Sequence, residues 1–487
     1  MSKPRLGAGL AVVIVFCTSA AVLVLEILAG RLMAPYTGVS LQTYTGIIGT
    51  VLAAIAVGTA LGGQLADRID PSRLLGPTLI LGGALAWLSL PMLSWLGPNT
   101  GRGAVSIVVL TAWAFFLPAA VLSAASPMVA KLRLASLDQT GSVVGGLSAA
   151  GTTGALFGTF ATGFVLIAAM PTRPIVLSVG AALVIGGLAL WWRFATRMPS
   201  PRTTAVALAV VAGSLGLGAT SSSVCQWETA YFCATVEHDL ANPSGRVLWL
   251  DDMRHSYVDL DDPTHLEFRY VRLFASAADA VAGTGGSLDA LHIGGGGFTF
   301  PSYLEATRPG STNVVAEIDG ELVRIAEDHL GLDHGDGGGL EVVVDDARGV
   351  IADQPPDAFD LVVGDAFASL SVPWHLTTTE FVADVVRVLR PHGIYVVNVI
   401  DGGDRDFARA KVATLVEHFD HVAVVAPLRE GAGAANHVVV ASQAPVDALV
   451  VDPADGTLIT GSEVDRWVGD ARILTDDFAP VDQLITG

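Results

Sequence analysis

Residues 288–300 read LDALHIGGGGFTF. Leu288–Ile293 is the apolar run of a buried strand, and Gly294, Gly295, Gly296 and Gly297 follow it before a helix that opens near Pro301. Glycines at a strand-to-helix turn let the backbone approach a ligand closely and let the helix start pack on the strand. Further along, NVVAEID ends a second strand on Glu317 and Asp319, LEVVVDD ends a third on Asp345 and Asp346, and FDLVVGDAF ends a fourth on Asp365. Short apolar runs alternating with helical stretches predict an α/β domain with a parallel sheet. Acidic residues at the carboxyl ends of successive strands face the ligand crevice of such a sheet, where a carboxylate can accept hydrogen bonds from a ribose diol. Each of them alone reads equally well as a helix N-cap or a solvated turn. Their recurrence favours a nucleoside-type site.

The rest of the chain is of another kind. Of 487 residues, 51% are hydrophobic and 15% charged, too apolar for a soluble chain. Residues 1–220 hold 12 Lys and Arg against 4 Asp and Glu, whereas residues 221–487 hold 15 against 43. The acidic half argues against nucleic-acid binding, which needs basic surface. It could draw in cationic substrates or simply keep the domain soluble.

A spanning helix needs about 20 apolar residues. Residues 8–32, 43–66, 74–96, 104–130, 143–168, 174–192 and 203–220 qualify, the last being short and rich in Ala and Gly, so a bundle of six or seven spans is expected. Small residues crowd the fifth, where Gly145, Gly146, Gly151, Gly154, Gly158 and Gly163 would allow close helix approach. Lys3, Arg5, Arg68, Arg73, Lys131, Arg133, Arg193, Arg197 and Arg202 fall on one side, and Arg31, Arg102 and Arg173 on the other. This bias places the N-terminus in the cytoplasm of a multi-pass cell-membrane protein embedded in the lipid bilayer. Seven spans would put the acidic half outside, and six would keep it inside.

Cys225 and Cys233 lie eight residues apart just past the last span. They read as a disulfide formed outside the cell or as two buried free thiols. The histidines show no ligand spacing, so no metal site is expected.

LHIGGG, VAEID, VVVDDA, FDLVVGDAF and LRPHGIYVVNV together resemble the class I S-adenosylmethionine fold, and in particular the spermidine synthases, the polyamine aminopropyltransferases. GRVLWLDDMRHSYVDLDDPTHLEFRYVRLFA, residues 245–275, is similar to their β-rich lead-in. The layout, with the C-terminal LTDDFAPVDQL, resembles bacterial proteins in which a transporter-like bundle is fused to a spermidine synthase. The expected organisation is a helical membrane bundle over residues 1–220, a linker and β lead-in over 221–285, a Rossmann-like α/β domain over 286–430 and an extension over 431–487.

The resemblance implies roles. Gly294 to Gly297, with Glu317 and Asp319, would hold the ribose side of a sulfonium nucleoside, and Asp345 and Asp346 would lie beside its adenine. Asp365 would orient or deprotonate the attacking amine, because an amine is nucleophilic only when neutral. The donor would be S-adenosylmethionine or its decarboxylated form, a co-substrate rather than a resident cofactor, and the partners a small amine acceptor and further copies of the chain.

The sequence departs from the family where an acceptor diamine would be held. Gly297 stands in place of an Asp, Ala368 in place of a second Asp, and Val271 and Arg272 follow the retained Tyr270. Phe298, Phe300 and Tyr303, with Trp374 and His375, could shape a different acceptor pocket or be ordinary core and loop residues. Three functions stay open: a polyamine-biosynthetic type of transferase, a methyltransferase acting on a lipid or envelope substrate, and a non-catalytic sensor in a transport-associated membrane protein. An outside domain would moreover be separated from donors that are cytosolic metabolites.

Overall fold

A computed structural model of the chain describes residues 6–101, 103–134, 140–194, 201–335, 339–367, 372–428 and 434–486. Lys3, Arg5, Arg102, Arg197 and Ala368 lie outside them. The chain divides into two compact units, Met1–Cys233 and Ala234–Gly487.

The first unit is helical. Among its described residues, seven helices are long and apolar enough to cross a membrane: α1 (Ala8–Thr37), α2 (Leu41–Arg68), α3 (Pro71–Asn99), α4 (Ala104–Arg133), α5 (Thr140–Ala169), α6 (Thr172–Phe194) and α7 (Arg202–Thr220). Residues 203–220 therefore form a helix of spanning length, and six is not the count that length and composition support. Helix starts follow local chemistry: Ser40 accepts from Thr43 N at 3.2 Å, and Asp70, ahead of Pro71, accepts from Ser72 N at 3.0 Å.

α5 packs along α1 at distances only glycine allows. A Cβ on Gly154 would lie 2.2 Å from the Phe16 carbonyl oxygen, and one on Gly158 2.5 Å from that of Ala20. Gly145, Gly146 and Gly163 face open space instead, so the glycine-rich stretch is a packing seam over only part of its length.

The chain leaves this bundle at a defined end. Arg173, at the start of α6, donates to the Gly218 carbonyl oxygen at 2.9 Å and to Ser221 Oγ at 3.2 Å. Arg31, near the end of α1, donates to the carbonyl oxygens of Thr229 and Ala230. Glu228, in the short strand β1 (Trp227–Glu228), accepts from Thr172 N at 2.6 Å. Cys225 and Cys233 are joined as a disulfide with their Cα atoms 5.1 Å apart.

The second unit opens with three antiparallel strands, β2 (Cys233–His238), β3 (Gly245–Leu250) and β4 (Met253–Asp259). An eight-stranded sheet follows, formed by β5 (Asp289–Ile293), β6 (Thr312–Glu317), β7 (Leu340–Val344), β8 (Phe359–Gly364), β9 (Leu389–Asp401), β10 (His421–Ala426), β11 (Ala435–Ser442) and β12 (Thr457–Ile459). Its order is β12-β10-β11-β9-β8-β5-β6-β7. β5 to β9 are parallel to one another, while β10, β11 and β12 join antiparallel. Residues 431–487 are thus not an appendage, because they supply β11, which lies between β9 and β10 and completes the sheet.

Both faces of the sheet are covered, so its strands read as nearly continuous apolar runs. On one face Val362, Tyr395, Val397, Val424 and Val439 pack against α11 (Ala347–Asp353), α12 (Thr379–Val388) and α13 (Asp406–Val416). On the other, Leu361, Val363, Val396, Val425 and Val440 pack against α8 (Arg269–Ala282) and α9 (Thr299–Thr307). α8 falls within the stretch read as linker and lead-in, yet it is part of the core. α10 (Gly320–His329) connects β6 to β7. This is a class I S-adenosylmethionine-type α/β fold with a β lead-in.

Candidate active site

The strand order reverses between β5 and β8, and ligands of open α/β sheets bind beyond the carboxyl ends of the strands at such a switch point. Gly294 follows β5 and Asp365 follows β8. Gly294 has φ 95°, and a Cβ on it would fall 2.6 Å from the Asp365 carbonyl oxygen, so only glycine closes the crevice floor here.

Glu317 ties the loop to the next strand. One carboxylate oxygen accepts from Gly295 N at 2.8 Å and Gly296 N at 3.3 Å, and the other from Asp319 N at 3.0 Å. Burial pushes this carboxyl up, against the three backbone donors. The oxygen that accepts from Asp319 N keeps a lone pair for a further donor such as a sugar hydroxyl. Beside it, Ile318 is 40% exposed and Val344, on the neighbouring strand in register with Glu317, is 54% exposed. The residues present fit a nucleoside.

The remaining acids divide by role. Asp319 is the N-cap of α10, accepting from Glu321 N at 3.1 Å. Asp346 caps α11 through Arg348 N at 2.8 Å, and its other oxygen meets His375 Nε2 at 3.0 Å. Asp345 is exposed and accepts from Asp346 N at 2.7 Å. His375 therefore sits on Asp346, at the β7 end of the crevice, and Trp374 beside it is half-exposed. The structure does not bring these two to Asp365.

Asp365 has other company. Asn398 Nδ2 donates to its Oδ1 at 3.0 Å, Tyr270 lines the same cavity wall, and Asn436 Nδ2 in turn donates to Asn398 Oδ1 at 2.9 Å. Burial pushes Asp365 up to about 6, against the donors Asn398 and Tyr270. A carboxylate poised near neutrality is suited to take a proton at physiological pH.

Two cavities meet at this residue. A small one, about 30 Å³, lies between the glycine loop and α9 and includes Phe300 and His292 in its wall. His292 is buried, with Nε2 on Asn313 Oδ1 at 3.1 Å. A larger one, about 170 Å³, is walled by Arg254, His255, Phe268, Arg269, Tyr270 and Asn398 among others. Phe298, also expected at a pocket, is buried with its ring against Gly295, and Tyr303 packs on Phe300.

Gly297 explains one departure. Its N–H donates to Ser256 Oγ at 3.0 Å, and a Cβ there would lie 2.7 Å from Ser256 Cβ. The lead-in strand β4 occupies the room an aspartate would need. Ser256, His255, Arg254, Asn398 and Asn436 were not anticipated from the sequence. The available signal for Asn398 was a polar residue inside the apolar run Tyr395–Ile400.

A polyamine aminopropyltransferase of Chromobacterium violaceum is 27% identical over 150 residues, which are 31% of this chain and 56% of that protein. The second unit is spermidine-synthase-like. No family model matches the chain. Among solved structures, this spermidine-synthase-like unit aligns with a probable spermidine synthase from Corynebacterium glutamicum at TM-score 0.48 and 27% identity, over 53% of this chain and 99% of that one. It aligns with the spermidine synthase from Thermotoga maritima at 0.34 and 17%, over 53% and 85%. With human methyltransferase-like protein 13 in complex with SAH the values are 0.32 and 18%, over 45% and 100%. The chain spans about half the length of the curated aminopropyltransferase it matches.

Proposed function

We propose that the spermidine-synthase-like unit is a transferase that takes its group from a sulfonium nucleoside and delivers it to an amine, with Asp365 as general base. Gly294 to Gly297 and Glu317 would hold the ribose side, Ile318 and Val344 the purine face, and Asp346 its edge. The amine nitrogen attacks the carbon bonded to sulfur. A C–N bond forms, the C–S bond breaks with its electron pair passing to sulfur, and the proton leaves nitrogen for Asp365. Tyr270 and Asn398 hold the carboxylate toward the amine, and the thioether leaves without further activation.

The observation that carries this reading is the half-buried Asp365 at the switch point, beside the glycine loop and hydrogen-bonded by Asn398. The aminopropyl and methyl versions differ in the donor. Calorimetric titration of the purified full-length protein with S-adenosylmethionine and with its decarboxylated form separates them, and binding of neither would sink both.

We also propose that the chain crosses the membrane seven times with its N-terminus in the cytoplasm and the second unit outside. Seven apolar helices and the Cys225–Cys233 bridge support this placement. It favours a second reading, in which the crevice serves a donor or ligand delivered to the outer side of the membrane.

A further inference from the structure

We infer that the larger cavity beside Asp365 receives an amine that also carries a carboxylate, rather than a diamine. The inference rests on the transferase reading above and names its acceptor class.

A diamine needs a carboxylate at each end of its site. Among the described residues that wall the cavity, Asp365 is the single acid, whereas Arg254 and Arg269 are bases. Gly297 is packed on Ser256, so no acid can be seated there without moving β4. Arg272, where the family has an acid, spends its guanidinium on Asp455 at 2.5 Å.

The two arginines of the wall are placed differently. Arg269 donates to the main-chain carbonyl oxygens of Asp455 and Asn436 rather than to a carboxylate, so its orientation is fixed while its charge is not directly cancelled. Arg254 has its guanidinium carbon over the Phe268 ring, 4.9 Å from the centre, and over Tyr257 at 5.5 Å, and one of its nitrogens is ion-paired with Glu267 at 3.6 Å. The guanidinium nitrogens that Glu267 does not take can donate to a carboxylate, which their planar geometry matches.

His255 adds an independent sign. Its Nδ1 is buried and has no hydrogen-bond partner among the described residues, although a native buried polar atom nearly always has one. The ring lines the same cavity and faces Gly296, whose Cβ position is 3.3 Å from Nδ1. Burial pulls its pKa down to about 4, so the ring in the cavity wall is a neutral imidazole and adds no positive charge of its own. One acid and two guanidiniums in the wall, with a neutral imidazole between them and the glycine loop, suit an amine at Asp365 and a carboxylate beside the arginines. A second ammonium there would meet like charge.

The test uses full-length protein saturated with methylthioadenosine or S-adenosylhomocysteine, whichever binds. Putrescine and cadaverine are titrated calorimetrically against 4-aminobutyrate and 5-aminopentanoate, which match them in length with a carboxylate in place of one amine. The amino acids are expected to bind about tenfold or more tightly than the diamines. Arg254→Glu should reverse that order, and Arg254→Gln should narrow it should the reversal not fold. Diamines binding as well as the amino acids, or no amino acid binding while the nucleoside does, overturns the inference and leaves the transferase reading standing. Loss of nucleoside binding overturns that reading instead.

Discussion

Asn398 donates its side-chain amide to Asp365 Oδ1 at 3.0 Å, across the paired strands β8 and β9. A donor to a carboxylate favours the charged form, so Asn398 restrains the rise that burial imposes on Asp365. Asn398→Leu removes the donor and should push Asp365 above about 6. The acid limb of the pH–rate profile should move up by roughly one pH unit, since a hydrogen bond to a charged group is worth about 1.5–3 kcal/mol. An unmoved limb would mean that Asp365 is not the titrating base.

Asp365→Asn separates catalysis from stability. The transfer rate should fall on the order of 100-fold or more while nucleoside affinity stays within a few-fold. Because burial raises the native pKa from 3.8 to about 6, the native state binds more protons than the unfolded chain between those values. Stability therefore falls as pH rises through that window, and the cost of burying the charge is fully present above it. The variant should melt a few degrees higher than the parent at pH 7.5 and at the same temperature near pH 4, by differential scanning fluorimetry.

Gly297→Asp restores a family residue at a position that cannot take it. Its Cβ would press on Ser256 Cβ at 2.7 Å, and overpacking of this kind costs about 1–3 kcal/mol. Urea unfolding should show that loss, and Ser256→Gly in the same chain should recover most of it. A Gly297→Asp protein as stable as the parent would mean that β4 moves freely away from the loop.

The sequence made the strand ends legible because a sheet covered on both faces writes apolar runs that stop where the chain meets the crevice. Gly294, Glu317 and Asp365 stand at such stops. It did not distinguish Asp319 and Asp346 as helix caps from ligands, because both tasks call for the same side chain after the same strand. Asn398 was hidden for a different reason. What places it on Asp365 is the register Gly364↔Val397, a pairing between distant segments. His255 and Ser256 meet the glycine loop some 40 residues away along the chain, and β11 enters the sheet between two strands whose apolar runs look alike.

Lys411 is buried in α13 without a carboxylate partner among the described residues, its Nζ 3.2 Å from the Leu376 carbonyl oxygen. Burial pulls its pKa from 10.5 to about 7. Between these values the unfolded chain binds the extra proton, so stability rises with pH across this window, and below pH 7 the cost of the buried charge is fully present. Lys411→Met should stabilise the protein by on the order of 2 kcal/mol at pH 6.5, with the advantage vanishing near pH 10. Thermal unfolding at the two pH values measures it. His375, which shares the Trp374–Leu376 turn with that carbonyl, should lose order relative to Asp346 in the variant.

The exit from the bundle bears on which side of the membrane the acceptor and donor are met. Arg133, at the end of α4, donates to the Leu6 carbonyl oxygen at 3.2 Å and so marks the N-terminal end of the bundle. Arg173 holds the last residues of α7, and Arg31 holds the chain beyond it from the opposite end of α1. The chain therefore departs from the end away from its N-terminus, as seven crossings require. On the proposed topology, with the N-terminus cytoplasmic, the bridge between Cys225 and Cys233 would form in an oxidising compartment, where closing a loop of this length is worth about 2–3 kcal/mol. In intact cells an impermeant maleimide should label these two cysteines only after reduction, and a reporter fused after residue 240 should be active outside. Free thiols that label only after permeabilisation would return the second unit to the cytoplasm and to an unobstructed supply of sulfonium donor.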